Sequence, residues 1–256
     1  MENLLQVALK LGVKRFKFSF GIDELDKLFG YGIQSCEVQE IVAEGNCYET
    51  ELCHKLLAEF LQDESKEDLR AIYVDSNNSF NVDRLRELIR DKSKKTNANL
   101  ERILVKKLYD INEFLDVIES FLKYCKGIRV CLLIVNNVCG IILSQDKLYD
   151  DLSTKRELII KNLHRLAKNE GLAILTINSF AAPLNNEIRP LLGNVWVNGI
   201  YKRVSLHPDH FVSGEVGQKI YFARKYVSGD NVNYHVISNN IVRYQRKENG
   251  IELFQE

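Results

Sequence analysis

Short runs of apolar residues alternate along this chain with longer segments in which apolar residues recur every three or four positions. Runs of the first kind are typical of strands that are covered on both faces of a sheet. Segments of the second kind are typical of helices that pack one face on such a sheet. Strands are predicted at Glu37–Ala43, Ala71–Val74, Ile103–Val105, Val130–Val135 and Ala173–Ile177.

Helices are predicted between these strands. Two extend over Thr50–Leu61 and Lys155–Asn169, one carries Leu85, Leu88 and Ile89 on one face, and one runs from Phe114 to Leu122. A chain that repeats strand, helix and strand in this way predicts a mostly parallel sheet with helices on both sides, which is a three-layer α/β fold. A further helix is predicted near the N-terminus, with its apolar face made by Leu4, Leu5, Ala8 and Leu11.

The pattern changes after residue 195, where short strands of alternating polarity follow one another with turn residues between them. We expect these strands to extend the same sheet in antiparallel fashion rather than to form a second domain. They are predicted at Tyr201–Leu206, Lys219–Arg224, Tyr234–Ile237 and Ile241–Tyr244.

Composition and charge narrow the function classes. The chain has 256 residues, with 35 Lys and Arg against 35 Asp and Glu, and its hydrophobic fraction of 45% excludes wholesale disorder. The longest uncharged apolar run, Val130–Gln145, is shorter than the ~20 residues of a membrane span. The first residues lack the apolar stretch of a signal peptide.

Six cysteines form no C-x-x-C pair, so we expect no metal site. Reduced thiols are typical of a cytosolic or nuclear protein.

The zero net charge is a cancellation between two parts of the chain. Residues 37–70 hold 10 acids and 3 bases, a balance of −7, whereas residues 200–247 hold 8 bases and 3 acids, a balance of +5. The acidic part suits a basic protein surface. Most of the basic residues are interpreted as solvated strand edges. The alternative is contact with DNA through Lys202, Arg203, Arg224 and Lys225.

Five motifs, in the same order and spacing, resemble the RecA-type recombinase core in its eukaryotic recombinase and paralogue branch. They are Ser19–Ile33 (SFGIDELDKLFGYGI), Glu51–His54 (ELCH), Ala71–Leu85 (AIYVDSNNSFNVDRL), Leu132–Val135 (LLIV) and Arg189–Trp196 (RPLLGNVW). The resemblance implies a RecA-like P-loop NTPase core over residues 21–256. It also implies an N-terminal helix and interface segment over residues 1–20, which is too short for a separate N-terminal DNA-binding domain.

The chain departs from the family at the positions that bind nucleotide. A phosphate loop needs glycines for close backbone approach and a lysine for the terminal phosphates. By alignment with the family, Glu49 replaces the lysine, and Asn46 and Tyr48 replace two glycines. The corresponding loop consists of Ala43, Glu44, Gly45, Asn46, Cys47, Tyr48, Glu49 and Thr50.

The resemblance also locates the metal and water positions of the family, and here too the chain differs. The magnesium-binding aspartate corresponds to Asn136, the water-activating glutamate to Asn77, and the glutamine sensor to Ser179. Losing a unit charge pair at about 4 Å removes roughly 4 kcal/mol at an effective dielectric of 20. The sequence therefore predicts a vestigial site, with no catalytic residue, no cofactor and no metal. ATP is expected only in a partner subunit.

The resemblance implies partners as well. We expect an obligate, non-catalytic subunit of a heteromeric complex with an ATP-competent recombinase paralogue. The complex would bind and remodel or stabilise recombinase filaments on single-stranded DNA during homologous-recombination repair in the nucleus. Phe16 and Phe18 are candidates for the interface with the neighbouring subunit, or they pack on their own core. Two alternatives stay open, a DNA-dependent ATPase with an unusual site and a stand-alone single-stranded DNA-binding module.

Overall fold

The structure of the chain is a computed structural model. It describes residues 15–89, 99–121, 125, 127–144, 149–181, 189–210, 212, 218–226 and 241–254. Two predicted elements, the N-terminal helix around Leu4–Leu11 and the strand Tyr234–Ile237, lie outside these residues.

A nine-stranded sheet forms the centre of the described part of the molecule, in the order β11-β10-β9-β8-β3-β7-β6-β4-β5. The strands are β1 (Lys17–Phe18), β2 (Ile33–Gln34), β3 (Glu37–Ala43), β4 (Arg70–Asp75), β5 (Ile103–Lys107), β6 (Val130–Asn136), β7 (Ala173–Ser179), β8 (Lys202–Pro208), β9 (Ile220–Lys225), β10 (Val242–Lys247) and β11 (Gly250–Leu253). All pairs from β8 to β5 are parallel, and the pairs from β8 to β11 are antiparallel. The predicted fold class is thereby confirmed. One detail of the prediction is wrong: the strand predicted at Tyr201–Leu206 was expected to be antiparallel, but the corresponding β8 pairs with β3 in parallel, and the antiparallel part begins between β8 and β9.

Helices cover both faces of the sheet, as the alternating pattern predicts. They are α1 (Asp23–Leu28), α2 (Glu49–Gln62), α3 (Val82–Leu88), α4 (Ile111–Glu119), α5 (Val138–Leu143), α6 (Tyr149–Glu170) and α7 (Gly193–Gly199). One hydrophobic core lies under α1, α2 and α3 and includes residues of β10 and β11. The second lies under α4 to α7 on the opposite face. Within the described residues, no helix is both long and apolar enough to cross a membrane.

Several short elements were not predicted from the pattern. The apolar run Val130–Gln145 divides into β6 and α5, because Asn137 adopts a left-handed conformation with φ of +57° and its side chain accepts from the Gly140 N–H. The strands β1 and β2 form a separate two-stranded ribbon beside the sheet. The last strand, β11, pairs with β10 as a hairpin.

Candidate functional site

The loop between β3 and α2 occupies the position of the predicted phosphate loop. Its backbone turns twice through the left-handed region, at Gly45 with φ of +67° and at Tyr48 with φ of +59°. Residues other than glycine rarely adopt the left-handed backbone conformation, because it costs roughly 1–2 kcal/mol for a residue with a Cβ. Tyr48 therefore begins α2 in a strained conformation that a glycine would adopt freely.

Glu49 satisfies part of this loop from within the chain. Its carboxylate accepts a hydrogen bond from the backbone N–H of Cys47, with a distance of 3.2 Å between Oε2 and N. Burial raises the pKa of Glu49, and hydrogen bonds from the backbone partly oppose that effect. In a phosphate loop, backbone N–H groups bind the anion. Here a carboxylate of the protein already binds one of them.

Tyr48 leads into an aromatic cluster on the C-terminal strands, which also makes contact with the loop. Its ring packs edge-on against Tyr221, with centroids 5.3 Å apart, and the guanidinium of Arg246 lies 5.5 Å from its centre. Tyr221 stacks on Tyr244 at 5.7 Å, and the Tyr244 hydroxyl donates to the Cys47 carbonyl at 2.9 Å. The aromatic cluster thus packs on the loop and forms a hydrogen bond to its backbone. A bound nucleotide would need the same loop to be accessible.

A polar cluster lies at the carboxyl ends of β4 and β6. The Asn136 Nδ2 lies 2.6 Å from the Ser79 hydroxyl, 3.3 Å from the Thr50 hydroxyl and 3.4 Å from the Asn77 side-chain oxygen. Asn136 and Asn77 were predicted to lie at the vestigial metal and water positions and Thr50 in the vestigial phosphate loop, and the structure brings the three together. Divalent cations prefer oxygen ligands, often carboxylates. A donating amide in their midst does not suit a magnesium ion.

Asp75 and His54 bind the backbone of residues 79–81, which follow β4 and include Ser79 of this cluster. The Asp75 carboxylate accepts from the backbone N–H groups of Ser79 and Phe80 at 3.1 and 3.2 Å. His54 Nε2 accepts from the Asn81 N–H at 3.0 Å, so its Nδ1 carries the hydrogen and donates to the Thr50 carbonyl at 2.9 Å. Burial lowers the pKa of His54, which keeps the ring neutral. Sequence analysis missed His54 and Ser79, although both lie inside matching motifs.

The first residues of the loop, Ala43 and Glu44, contact β7 and β8. Ser179, which was predicted to lie at the glutamine-sensor position, pairs in register with Ala43 between the parallel strands β3 and β7. The Glu44 carboxylate binds His207 Nδ1 at 2.7 Å, and the Glu44 N–H donates to the Leu206 carbonyl at 2.9 Å. Burial lowers the pKa of His207 although Glu44 opposes that effect. The described residues contain no group of three or more His, Cys, Asp or Glu placed to hold a metal ion.

The four candidate DNA contacts occupy different environments. Arg203 is 6% exposed and its guanidinium pairs with the fully buried Glu40, which also accepts from the Trp196 indole N–H. The prediction of a DNA contact at Arg203 is therefore wrong, because this charge belongs to the core. Lys202 pairs with Glu37 at 2.5 Å near the surface, Arg224 is half-buried, and Lys225 is exposed on β9.

The two candidate interface residues, Phe16 and Phe18, differ in their burial. Phe18 is buried in its own core, with its ring 6.0 Å from that of Phe60, so the interface prediction for Phe18 is wrong. The pairing of β1 with β2 is the cause, since it turns Phe18 towards α2. Phe16 stays partly exposed beside it, and its backbone exchanges hydrogen bonds with Ser35.

Comparisons with known proteins agree on one family. The family model for Rad51 matches residues 13–206. The chain is 26% identical over 174 residues to a DNA repair protein Rad51 homolog of Drosophila melanogaster, covering 66% of this chain and 52% of that protein. It is 23% identical over 198 residues to the DNA repair protein RAD51 homolog of Solanum lycopersicum, covering 73% and 58%. Meiotic recombination protein DLH1 of Candida albicans is 24% identical over 170 residues, covering 64% and 52%. The chain thus spans little more than half the length of these relatives.

Proposed function

Because the chain belongs to the Rad51 family, we propose that it is a recombination and repair protein whose own nucleotide site is inactive. In this proposal the RecA-type core serves as a non-catalytic subunit that neither holds ATP nor hydrolyses it. The observation that carries the proposal is the bond between the Glu49 carboxylate and the Cys47 N–H, at the place where the family binds phosphate.

Electrostatics supports this conclusion. A unit charge pair at about 4 Å is worth roughly 4 kcal/mol at an effective dielectric of 20. Replacing the phosphate-loop lysine with Glu49 loses that attraction and adds a repulsion of similar size. Asn136 cannot supply the negative charge that holds a metal ion beside the phosphates. ATP and magnesium therefore do not fit the residues present.

The proposed role is carried out in a heteromeric complex. An ATP-competent paralogue would supply the nucleotide, and the complex would act on recombinase filaments on single-stranded DNA in the nucleus. The printed names of the relatives, DNA repair and meiotic recombination proteins, support the process. The burial of Arg203 and the pairing of Lys202 with Glu37 support DNA contact mainly through the partner.

Nucleotide crosslinking and turnover test the proposal. Radiolabelled ATP is offered to the purified chain, to the chain in complex with its co-purifying partner, and to the double variant Glu49→Lys, Asn136→Asp. We expect the isolated wild-type chain neither to crosslink nor to release phosphate. A matched control is Glu64→Lys, Asn112→Asp, which makes the same changes at two exposed positions. Crosslinking and turnover by the isolated wild-type chain at an ordinary ATPase rate would overturn the proposal.

Binding to single-stranded DNA provides a separate test of the subunit role. We expect the isolated chain to show little binding at physiological salt, and binding to appear when the partner is added. Salt-dependent binding by the isolated chain, equal to that of the complex, would favour a stand-alone DNA-binding module instead.

A further inference from the structure

A groove of about 790 Å³ opens on the face of the molecule that carries α1, α2 and α3. It lies between the start of α1, the end of α3 and the last strand, β11. We call it the β11 groove. Its apolar lining consists of Ile22, Leu88, Ile89, Ile251 and Leu253. The volume is within the range of pockets that bind small ligands or short segments of chain.

One wall of the β11 groove is the edge strand of the sheet, which is partly accessible from Glu252 to Phe254, whereas Ile251 is 2% exposed. β11 is the terminal strand in the sheet order and pairs only with β10 among the described strands. The Phe254 N–H donates to the Arg243 carbonyl, which fixes the hydrogen-bonded positions of this antiparallel pair. Because such positions alternate, the N–H and C=O groups of Ile251 and Leu253 point away from β10. These two residues also line the groove.

The polar part of the lining is acidic. Asp23 and Glu24 of α1, Glu87 of α3 and Glu252 of β11 face one base, Lys55. Ion pairs offset some of this charge, since Glu87 pairs with Arg84 and Glu252 with Lys247. With all such neighbours counted, six acids stand against three bases, a balance of −3: Asp23, Glu24, Glu51, Glu59, Glu87 and Glu252 against Lys55, Arg84 and Lys247.

We propose that the β11 groove binds an extended, basic segment of a partner protein, which adds to the sheet as a strand beside β11. An extended peptide satisfies an open strand edge through its backbone, and its alternate side chains point to opposite faces. One set of side chains packs on the apolar lining. The other set, which carries Lys or Arg, lies against Asp23 and Glu24.

Charge decides between this occupant and a nucleic acid. An acidic lining repels phosphates and attracts a basic segment, and it favours basic partners during encounter. The proposal does not rest on the inactive phosphate loop, because no residue between 43 and 50 lines the groove. Each can therefore fail without the other.

The experiment uses the full chain and a short fluorescein-labelled peptide that alternates lysine with valine. Binding is measured by fluorescence anisotropy, and backbone protection is measured by amide hydrogen exchange. We expect saturable binding that weakens as salt rises from about 0.1 M to about 1 M, over which the Debye length shortens from about 10 Å to about 3 Å. The double variant Asp23→Lys, Glu24→Lys should weaken binding by roughly tenfold or more, since two attractive charges become repulsive.

A matched control reverses the charges of Glu67 and Asp68, which are exposed and do not line the groove. The Glu67→Lys, Asp68→Lys variant should bind the peptide as the wild type does. Bound peptide should slow exchange of the Leu253 amide, and a peptide N-methylated at alternate residues should not bind. Equal binding of a glutamate–valine peptide, or equal loss in both double variants, would overturn the proposal. So would a dimer in sedimentation whose formation protects the Leu253 amide from exchange, because a second copy would then cover the β11 edge.

Discussion

The side chain of Glu49 turns back along the chain to the backbone N–H of Cys47, and the two groups are joined by a hydrogen bond of 3.2 Å. Cys47 itself is fully buried, so its N–H has no ready access to solvent. An acidic residue at the first position of a helix also interacts favourably with the helix dipole. Glu49 thus has a structural role at the position that is predicted to correspond to the family's lysine.

Replacing Glu49 tests this role. Glu49→Ala leaves the Cys47 N–H without its acceptor, and we expect the free energy of unfolding to fall by about 1–3 kcal/mol. Glu49→Gln keeps an oxygen at the same place and should cost less than about 1 kcal/mol. Urea unfolding at neutral pH measures both. Equal losses in the two variants would show that the hydrogen bond is not what stabilises the loop.

The left-handed backbone of Tyr48 predicts an unusual order of substitutions. Both Tyr48→Ala and Tyr48→Gly lose the packing on Tyr221 and the contact with Arg246. Only glycine adopts φ of +59° freely. We therefore expect the glycine variant to be more stable than the alanine variant by about 1 kcal/mol, the reverse of the order inside a helix. Chemical unfolding of the pair decides it, and an alanine variant at least as stable would contradict the assigned backbone.

The buried pair of Arg203 and Glu40 should be far more sensitive than its neighbour on the same strand. Arg203→Met leaves a buried carboxylate without its cation, and we expect a loss of about 3–5 kcal/mol. Lys202→Met removes a partly exposed pair with Glu37 and should cost about 0.2–1 kcal/mol. Thermal and urea unfolding of the two variants provide the comparison. Similar small losses would mean that Arg203 is not held in the core.

His54 predicts how stability depends on pH. Burial lowers the pKa of His54 below its ordinary value of 6.5, and the charges near it are Glu51, Arg84 and Asp75. Below that value the unfolded chain binds a proton that the folded chain resists. The stability contributed by neutral His54 is therefore full above pH 6.5 and falls as the pH drops towards the lower folded pKa.

The measurement is urea unfolding of the wild type and of His54→Gln between about pH 8 and about pH 5, across the ordinary histidine pKa. The wild type should lose stability more steeply below pH 6.5 than the variant does. Protonation would also place a hydrogen on Nε2 facing the Asn81 N–H, so the protection of the Asn81 amide relative to its intrinsic exchange rate at each pH should fall over the same range. Parallel pH profiles for the two proteins would rule out this role for His54.

The parallel part of the sheet could be predicted because burial on both faces leaves a local signature. β6 is a continuous apolar run up to Asn136, β7 is mostly apolar up to Ile177, and helical periods separate the other strands. The end of the apolar run after β6 could not be predicted so well. Asn137 breaks it through a left-handed turn that depends on its own side-chain bond to Gly140. The strand β11 was missed because its apolar residues, Ile251 and Leu253, are too few to make a pattern.

Residues of the candidate site could be predicted where the resemblance to the family gives their positions. Burial and ion pairing could not be predicted where the interacting residues are far apart in the sequence. Asn136 ends β6, Asn77 follows β4 and Thr50 lies in the first turn of α2 after β3, so all three lie at the carboxyl edge of the parallel strands. The alternation around Arg203 gives no sign that Glu40, 163 positions away, will bury its charge. Phe18 is similar, since its burial depends on the ribbon that β1 forms with β2.

The hydrogen bond from Tyr244 to Cys47 spans 197 positions of the chain. During translation the loop after β3 leaves the ribosome well before β10 does, because β10 follows it in the chain. The loop therefore cannot reach its final arrangement until β10 has been synthesised. A premature stop codon anywhere upstream of Tyr244 would remove this bond, and with it the ring that stacks on Tyr221. Early termination would thus change a loop that lies 197 positions before Tyr244.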